Sequence, residues 1–148
     1  MFFATSRTRS PRTNGSGGCL PGRRDLFLTV DEVPAIHACL IERFGGPAGV
    51  RDPGLLESAL YRPRTGHYRD VAEMATAMFE SLILNHPFID GNERVAFFAA
   101  DVFLRLNGWR LAIDADEAHA FLIGLVEADR CDFEHLLPWV RASMKPSR

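Results

Sequence analysis

The sequence predicts an all-α protein: a compact bundle of short amphipathic helices, with room for one small hairpin. Three observations predict it. Apolar residues recur every three or four positions through most of the chain. Helix starts and stops punctuate it at short intervals. No long stretch alternates apolar and polar residues as a half-buried strand does. With 148 residues, 47% of them hydrophobic, the chain has the length and apolar content of one domain with one core.

The first expected element is a tail. Residues 1–25 hold Arg7, Arg9, Arg12, Arg23 and Arg24 and the run Asn14-Gly15-Ser16-Gly17-Gly18, with no periodic apolar face. Such a stretch buries too little surface to offset its ordering entropy, so it is expected to be a disordered basic tail. The domain is expected over residues 26–142, with a second short tail over 143–148.

Thr29 and Glu32 have the spacing of a capping box. Val33, Ile36, Leu40 and Ile41 then share one helical face, and Gly45-Gly46-Pro47 ends that helix. Asp52-Pro53 is a cap followed by proline at the first helical position, and Leu55, Leu56, Ala59 and Leu60 follow. Arg62 to Arg69, with Pro63 and Gly66, reads as a turn or a small hairpin. Asp70 and Glu73 open a helix whose Met74, Ala75, Met78, Phe79, Leu82 and Ile83 wrap most of its circumference, the pattern of a central, buried helix. Pro87 disfavours helical geometry at His86 and ends it. A fourth helix is expected from about Asn92 to Asn107, followed by a short extended piece, Trp109 to Ile113. Asp114 and Asp132 cap the last two helices, the second of which contains Pro138.

Composition excludes several classes. A net charge of −2 gives no global attraction to nucleic acid, and no direct nucleic-acid partner is expected. Cys19, Cys39 and Cys131 are scattered, with neither a paired nor a zinc-ligand spacing, which suits free thiols in a reducing compartment. No apolar run reaches the ~20 residues of a membrane span. The expectation is a cytoplasmic protein with no membrane partner.

One connector is dense in polar function: His86-Pro87-Phe88-Ile89-Asp90-Gly91-Asn92-Glu93-Arg94. Gly91 and Asn92 stand where the next helix opens, and the first amides of a helix point outward with partial positive charge behind them. Gly91 lets a ligand approach without a Cβ in the way. Together these make a nest for phosphate. Arg94 adds forked donors for phosphate oxygens, Asp90 can hold a magnesium ion, and His86 can take a proton from an incoming hydroxyl. Phe88 is the apolar anchor of the loop. On spacing alone the same residues also fit plain structural duties: His86 at a helix C-terminus, Asp90 and Asn92 as caps, and Arg94 as a surface charge.

The run resembles the Fic/Doc signature His-x-Phe-x-Asp/Glu-Gly/Ala-Asn-Lys/Gly-Arg. Its surroundings, Leu40 to Gly46, Asp52 to Leu60 and Phe103 to Gly108, look like the flanking blocks of the death-on-curing (Doc) branch. The resemblance covers roughly Leu26 to Val140. It implies a Fic/Doc-type helical bundle with the motif between its two central helices. It also implies a toxin, bound by a small Phd-like antitoxin, that uses ATP and Mg to transfer a phosphoryl group, or AMP, to a hydroxyl of a protein such as elongation factor Tu. By carry-over His86 is the general base and Arg94 joins it in catalysis. Asp90 holds the metal. Phe88, Asp90, Gly91, Asn92, Glu93 and Arg94 line the nucleotide, and Arg62 to Arg69 is the flap that pairs with the target.

Glu93 departs from the signature, which has lysine in Doc toxins and glycine in AMP-transferring relatives. A carboxylate about 5 Å from a phosphate oxygen costs roughly 3 kcal/mol at an effective dielectric near 20. Losing the lysine removes about as much again, so the ceiling is ~6 kcal/mol, or about four orders of magnitude in rate. If Glu93 turns to solvent the penalty shrinks to the missing lysine; if it pairs with Arg94 it masks the site. The alternative function is therefore a weakened or inactive Doc-like module that still binds antitoxin and nucleotide.

Overall fold

A computed structural model of the chain describes the backbone of Thr8–Arg9 and residues 25–147. Six α-helices occur among the described residues: α1 Glu32–Phe44, α2 Pro53–Tyr61, α3 Val71–Asn85, α4 Asn92–Leu106, α5 Ala115–Glu127 and α6 Phe133–Ser143. Four short strands, β1 Thr8–Arg9, β2 Leu26–Phe27, β3 Trp109–Leu111 and β4 Met144–Pro146, form two antiparallel pairs, β1 with β2 and β3 with β4. The all-α expectation holds.

The caps explain the boundaries. Thr29 and Glu32 exchange side-chain-to-backbone hydrogen bonds at 2.9 and 3.2 Å, a complete capping box. Asp52, Asp70, Asp114 and Asp132 each accept from first-turn amides of α2, α3, α5 and α6. Helix α3 is the centre of the bundle: Ala75, Met78, Phe79, Leu82 and Ile83 are all buried, and it packs on α2, α4 and α6. At its start a charged network ties it to the end of α6. Arg69 donates to Glu73 through both its backbone N–H and its guanidinium, at 2.9 and 3.0 Å, and Arg141 reaches Asp70 at 3.0 Å.

Of the turn and the hairpin expected over Arg62 to Arg69, the turn forms: Arg62–Thr65 is a 3₁₀ turn, and Gly66 turns left-handed at φ 88. The reason is Arg62, whose guanidinium bonds Tyr68 Oη, Ala77 O, Glu80 Oε1 and Ser81 Oγ and so fastens the turn to α3. Residues 143–148 are not simply a tail. Met144–Pro146 pairs with Trp109–Leu111 in the register Leu111↔Met144, which satisfies backbone groups that β3 would otherwise leave open. The expected basic tail, residues 1–25, lies outside the described residues except for Asp25 and for Thr8–Arg9, whose backbone pairs with Leu26–Phe27.

Candidate functional site

The His86–Arg94 run connects α3 to α4, and its shape is imposed from behind. The connector between α1 and α2 runs alongside it and bonds it as a strand would. Pro87 O accepts from Arg51 N and Asp52 N at 2.7 and 3.1 Å, and Ile89 N donates to Gly49 O at 3.1 Å. Val50 and Phe88 form the antiparallel bridge. Arg51 also caps α3, donating from Nε to His86 O at 2.7 Å and from Nη2 to Asn85 O at 2.8 Å. These carbonyls are among those an α-helix leaves unpaired at its end. The segment that lies against the motif is therefore Gly45 to Asp52, whereas Arg62 to Arg69 is fastened to the middle of α3.

Inside the loop two side chains hold it rigid. Asn92 is 6% exposed; its Oδ1 accepts from Phe88 N and its Nδ2 donates to Phe88 O, both at 3.0 Å. His37, on α1 and 3% exposed, stacks on the Phe88 ring with centroids 4.1 Å apart. Its Nε2 lies 2.8 Å from Asp90 O, and since a carbonyl can only accept, Nε2 carries the proton. Phe88 is 1% exposed, so it cannot touch a nucleotide; assigning it to the cofactor set is corrected to a packing role. The Asn92 side chain is likewise committed to the loop.

In front of the loop lies a cleft of about 350 Å³ lined by Asp90, Gly91, Glu93 and Arg94 together with Phe44, His37 and His119. Gly91 caps α4 in the left-handed region at φ 75, and the backbone amides of Asn92, Glu93 and Arg94 that follow it have no hydrogen-bond partner among the described residues. Asp90 Oδ1 accepts from Gly91 N at 2.8 Å, and a Cβ built on Gly46 lies 2.9 Å from Asp90 Oδ2, so the glycine makes room for the carboxylate. Arg94 stands over the Phe44 ring, 4.1 Å from its centroid. Glu93 is half-buried, lines this cleft, and has no ion-pair partner within 4.0 Å among the described residues, so it neither masks Arg94 nor turns away from the site. No group of three metal-holding side chains occurs among the described residues. Asp90 fits a magnesium ion as a single carboxylate ligand, the pattern of an ion whose other oxygens come from phosphate and water.

His86 is set apart from these residues. It is the C-cap of α3, left-handed at φ 50, and exposed. It lines a second hollow of about 240 Å³ with Leu84, Val126, Asp129, Cys131 and Asp132. The Cys131 thiol stands in an apolar and acidic environment. Burial, followed by the carboxylates of Glu80, Asp132 and Glu93, pushes it up to about 11. Cys131 therefore stays a neutral thiol at physiological pH.

Sequence reasoning missed Gly46, Arg51, His37 and His119. A signal existed for His37, a polar residue within the apolar stripe Val33, Ile36, Leu40. The other three acquire their places only through the tertiary fold.

Helical bundle, motif loop and helix-opening cleft together define one class. The Fic/DOC family model matches residues 27–104, and the chain belongs to that family. Among curated proteins it is similar to "Toxin Doc" of Mycolicibacterium smegmatis, 40% identical over 99 residues that span 63% of this chain and 76% of that protein. It is also similar to "Protein kinase doc" of Escherichia phage P1, 30% identical over 101 residues spanning 66% of this chain and 79% of that protein. These relatives place the chain in the Doc branch of the family.

Proposed function

We propose that this protein is the toxin of a toxin–antitoxin pair and transfers the γ-phosphoryl group of ATP to a hydroxyl of a target protein, elongation factor Tu being the first to test. The observation that carries this reading is the single cleft in which the Asp90 carboxylate, the opening amides of α4 and the Arg94 guanidinium stand together. Phosphoryl transfer needs little beyond positioning and charge neutralisation, which these groups supply. The amides and Arg94 hold the phosphates. Asp90 would hold a magnesium ion, which would supply positive charge against the phosphates. The acceptor enters by the hollow at His86, whose imidazole takes the hydroxyl proton while the acceptor oxygen bonds to the γ-phosphorus and the bond to ADP breaks. A Phd-like antitoxin is the expected partner that keeps the toxin silent.

Glu93 favours a second reading. A carboxylate facing the same cleft opposes a polyphosphate, and residue 93 matches neither the phosphoryl- nor the AMP-transferring signature. The protein then binds antitoxin and nucleotide with little turnover. Incubation with elongation factor Tu and ATP labelled at α or γ separates these: γ-label on the target supports the kinase, α-label supports AMP transfer, and no label with retained ATP binding supports the binding module. Glu93→Lys is expected to raise phosphoryl transfer, and His86→Ala to abolish whatever transfer is found.

A further inference from the structure

His119 has no task in that scheme, yet it lines the same cleft from α5. Neither of its ring nitrogens has a hydrogen-bond partner among the described residues. Nδ1 is moreover sealed from solvent, the one buried side-chain nitrogen or oxygen among them left so. With Nδ1 sealed, Nε2 is the ring nitrogen of His119 that can meet a ligand. A ligand oxygen there selects the tautomer with the proton on Nε2, since an oxygen without a proton can only accept. His119 thus offers the cleft one ring nitrogen with no protein partner, able to donate to an anion.

The charge of the cleft says what that nitrogen is for. Its lining carries two carboxylates, Asp90 and Glu93, against one guanidinium, Arg94. With glutamate at position 93, the start of α4 presents one cation where the Doc signature carries two. We infer that His119 is a phosphate-binding residue of this cleft: its Nε2–H donates to an oxygen of a nucleotide polyphosphate and makes good part of what the absent lysine would supply. This rests on the reading that the cleft takes a nucleotide.

The test is binding, not turnover. Isotope-labelled protein is titrated with Mg-ATP and, separately, with inorganic tripolyphosphate, while the Gly91–Arg94 amides and the His119 ring nitrogens are followed by NMR. The expected result is that both sets move along one isotherm. His119→Ala should then weaken binding by about tenfold or more, the range of a hydrogen bond to a charged group. His119→Gln, whose amide nitrogen can occupy the Nε2 position, should recover most of that loss. If the Gly91–Arg94 amides respond but His119→Ala binds within twofold of the parent, or the glutamine variant is as weak as the alanine one, the inference is overturned and the nucleotide reading stands. If the amides do not respond to millimolar Mg-ATP, the nucleotide reading falls and takes this inference with it.

Discussion

Replacing Asn92 with alanine removes the two hydrogen bonds that close the motif loop on itself. Both span 3.0 Å, and both end on the backbone of Phe88, a residue 1% exposed. Water has no easy route to the freed N–H and C=O, so each stands as an unsatisfied buried group at roughly 1–3 kcal/mol. Allowing for partial relaxation of the loop, Asn92→Ala is expected to cost about 2–4 kcal/mol. For a chain of this size that lowers Tm by roughly 5–15 °C. Urea denaturation followed by circular dichroism measures it, with the slope against denaturant expected to stay unchanged because the unfolded surface is the same. Asn92→Asp keeps the acceptor for Phe88 N but loses the donor to Phe88 O, and should also destabilise. A loss under about 0.5 kcal/mol for the alanine variant would mean that the connector Gly49 to Asp52 holds the loop without Asn92, and the account of the site's rigidity would be wrong.

His37→Phe keeps the stack on Phe88 but deletes the donor to Asp90 O; a loss of about 1 kcal/mol in stability and weaker Mg-ATP binding by calorimetry are expected, and an unchanged affinity would remove His37 from the site. Gly46→Ala puts a side chain at φ 110 and against the Asp90 carboxylate; it should cost about 1–3 kcal/mol by thermal melting and weaken magnesium-dependent nucleotide binding more than magnesium-free binding. Acid should loosen the junction of α3 and α6. The Arg69 backbone N–H and guanidinium hold Glu73 below the usual carboxylate range; at Asp70 burial pushes upward, but the Glu73 amide and Arg141 outweigh it, and its net shift is also downward. The unfolded chain then binds these protons more readily, so their stabilisation is full above about pH 4–5 and is lost as pH falls through the lower folded values. Arg141→Gln should flatten that acid limb in a pH series of melting curves.

The bundle was legible from end to end in local chemistry. Capping aspartates, Pro53 after the first of them and the apolar stripes each act within one or two helical turns, so α1 to α6 fall close to where those signals stand. The motif was legible for the same reason, since Gly91 and the residues after it form the opening of a single helix. The flap was not. Whether Arg62 frees or fastens its segment depends on Glu80 and Ser81, which follow it at a distance only the packed helix α3 brings within reach. The C-terminal residues were misjudged because strand pairing between residue 111 and residue 144 leaves no local mark on either.

The order of residues alone determined which helices form and that α4 opens at Gly91, because hydrogen bonds and apolar periodicity within a helix are short-range along the chain. Only the tertiary structure decided which residues of the motif face the cleft: it turned Phe88 and Asn92 inward, set His86 on a separate hollow, and drew His37, Gly46, Arg51 and His119 around the loop. Those contacts join residues tens of positions apart. Their free energy comes from burying shared surface, and no local pattern encodes it.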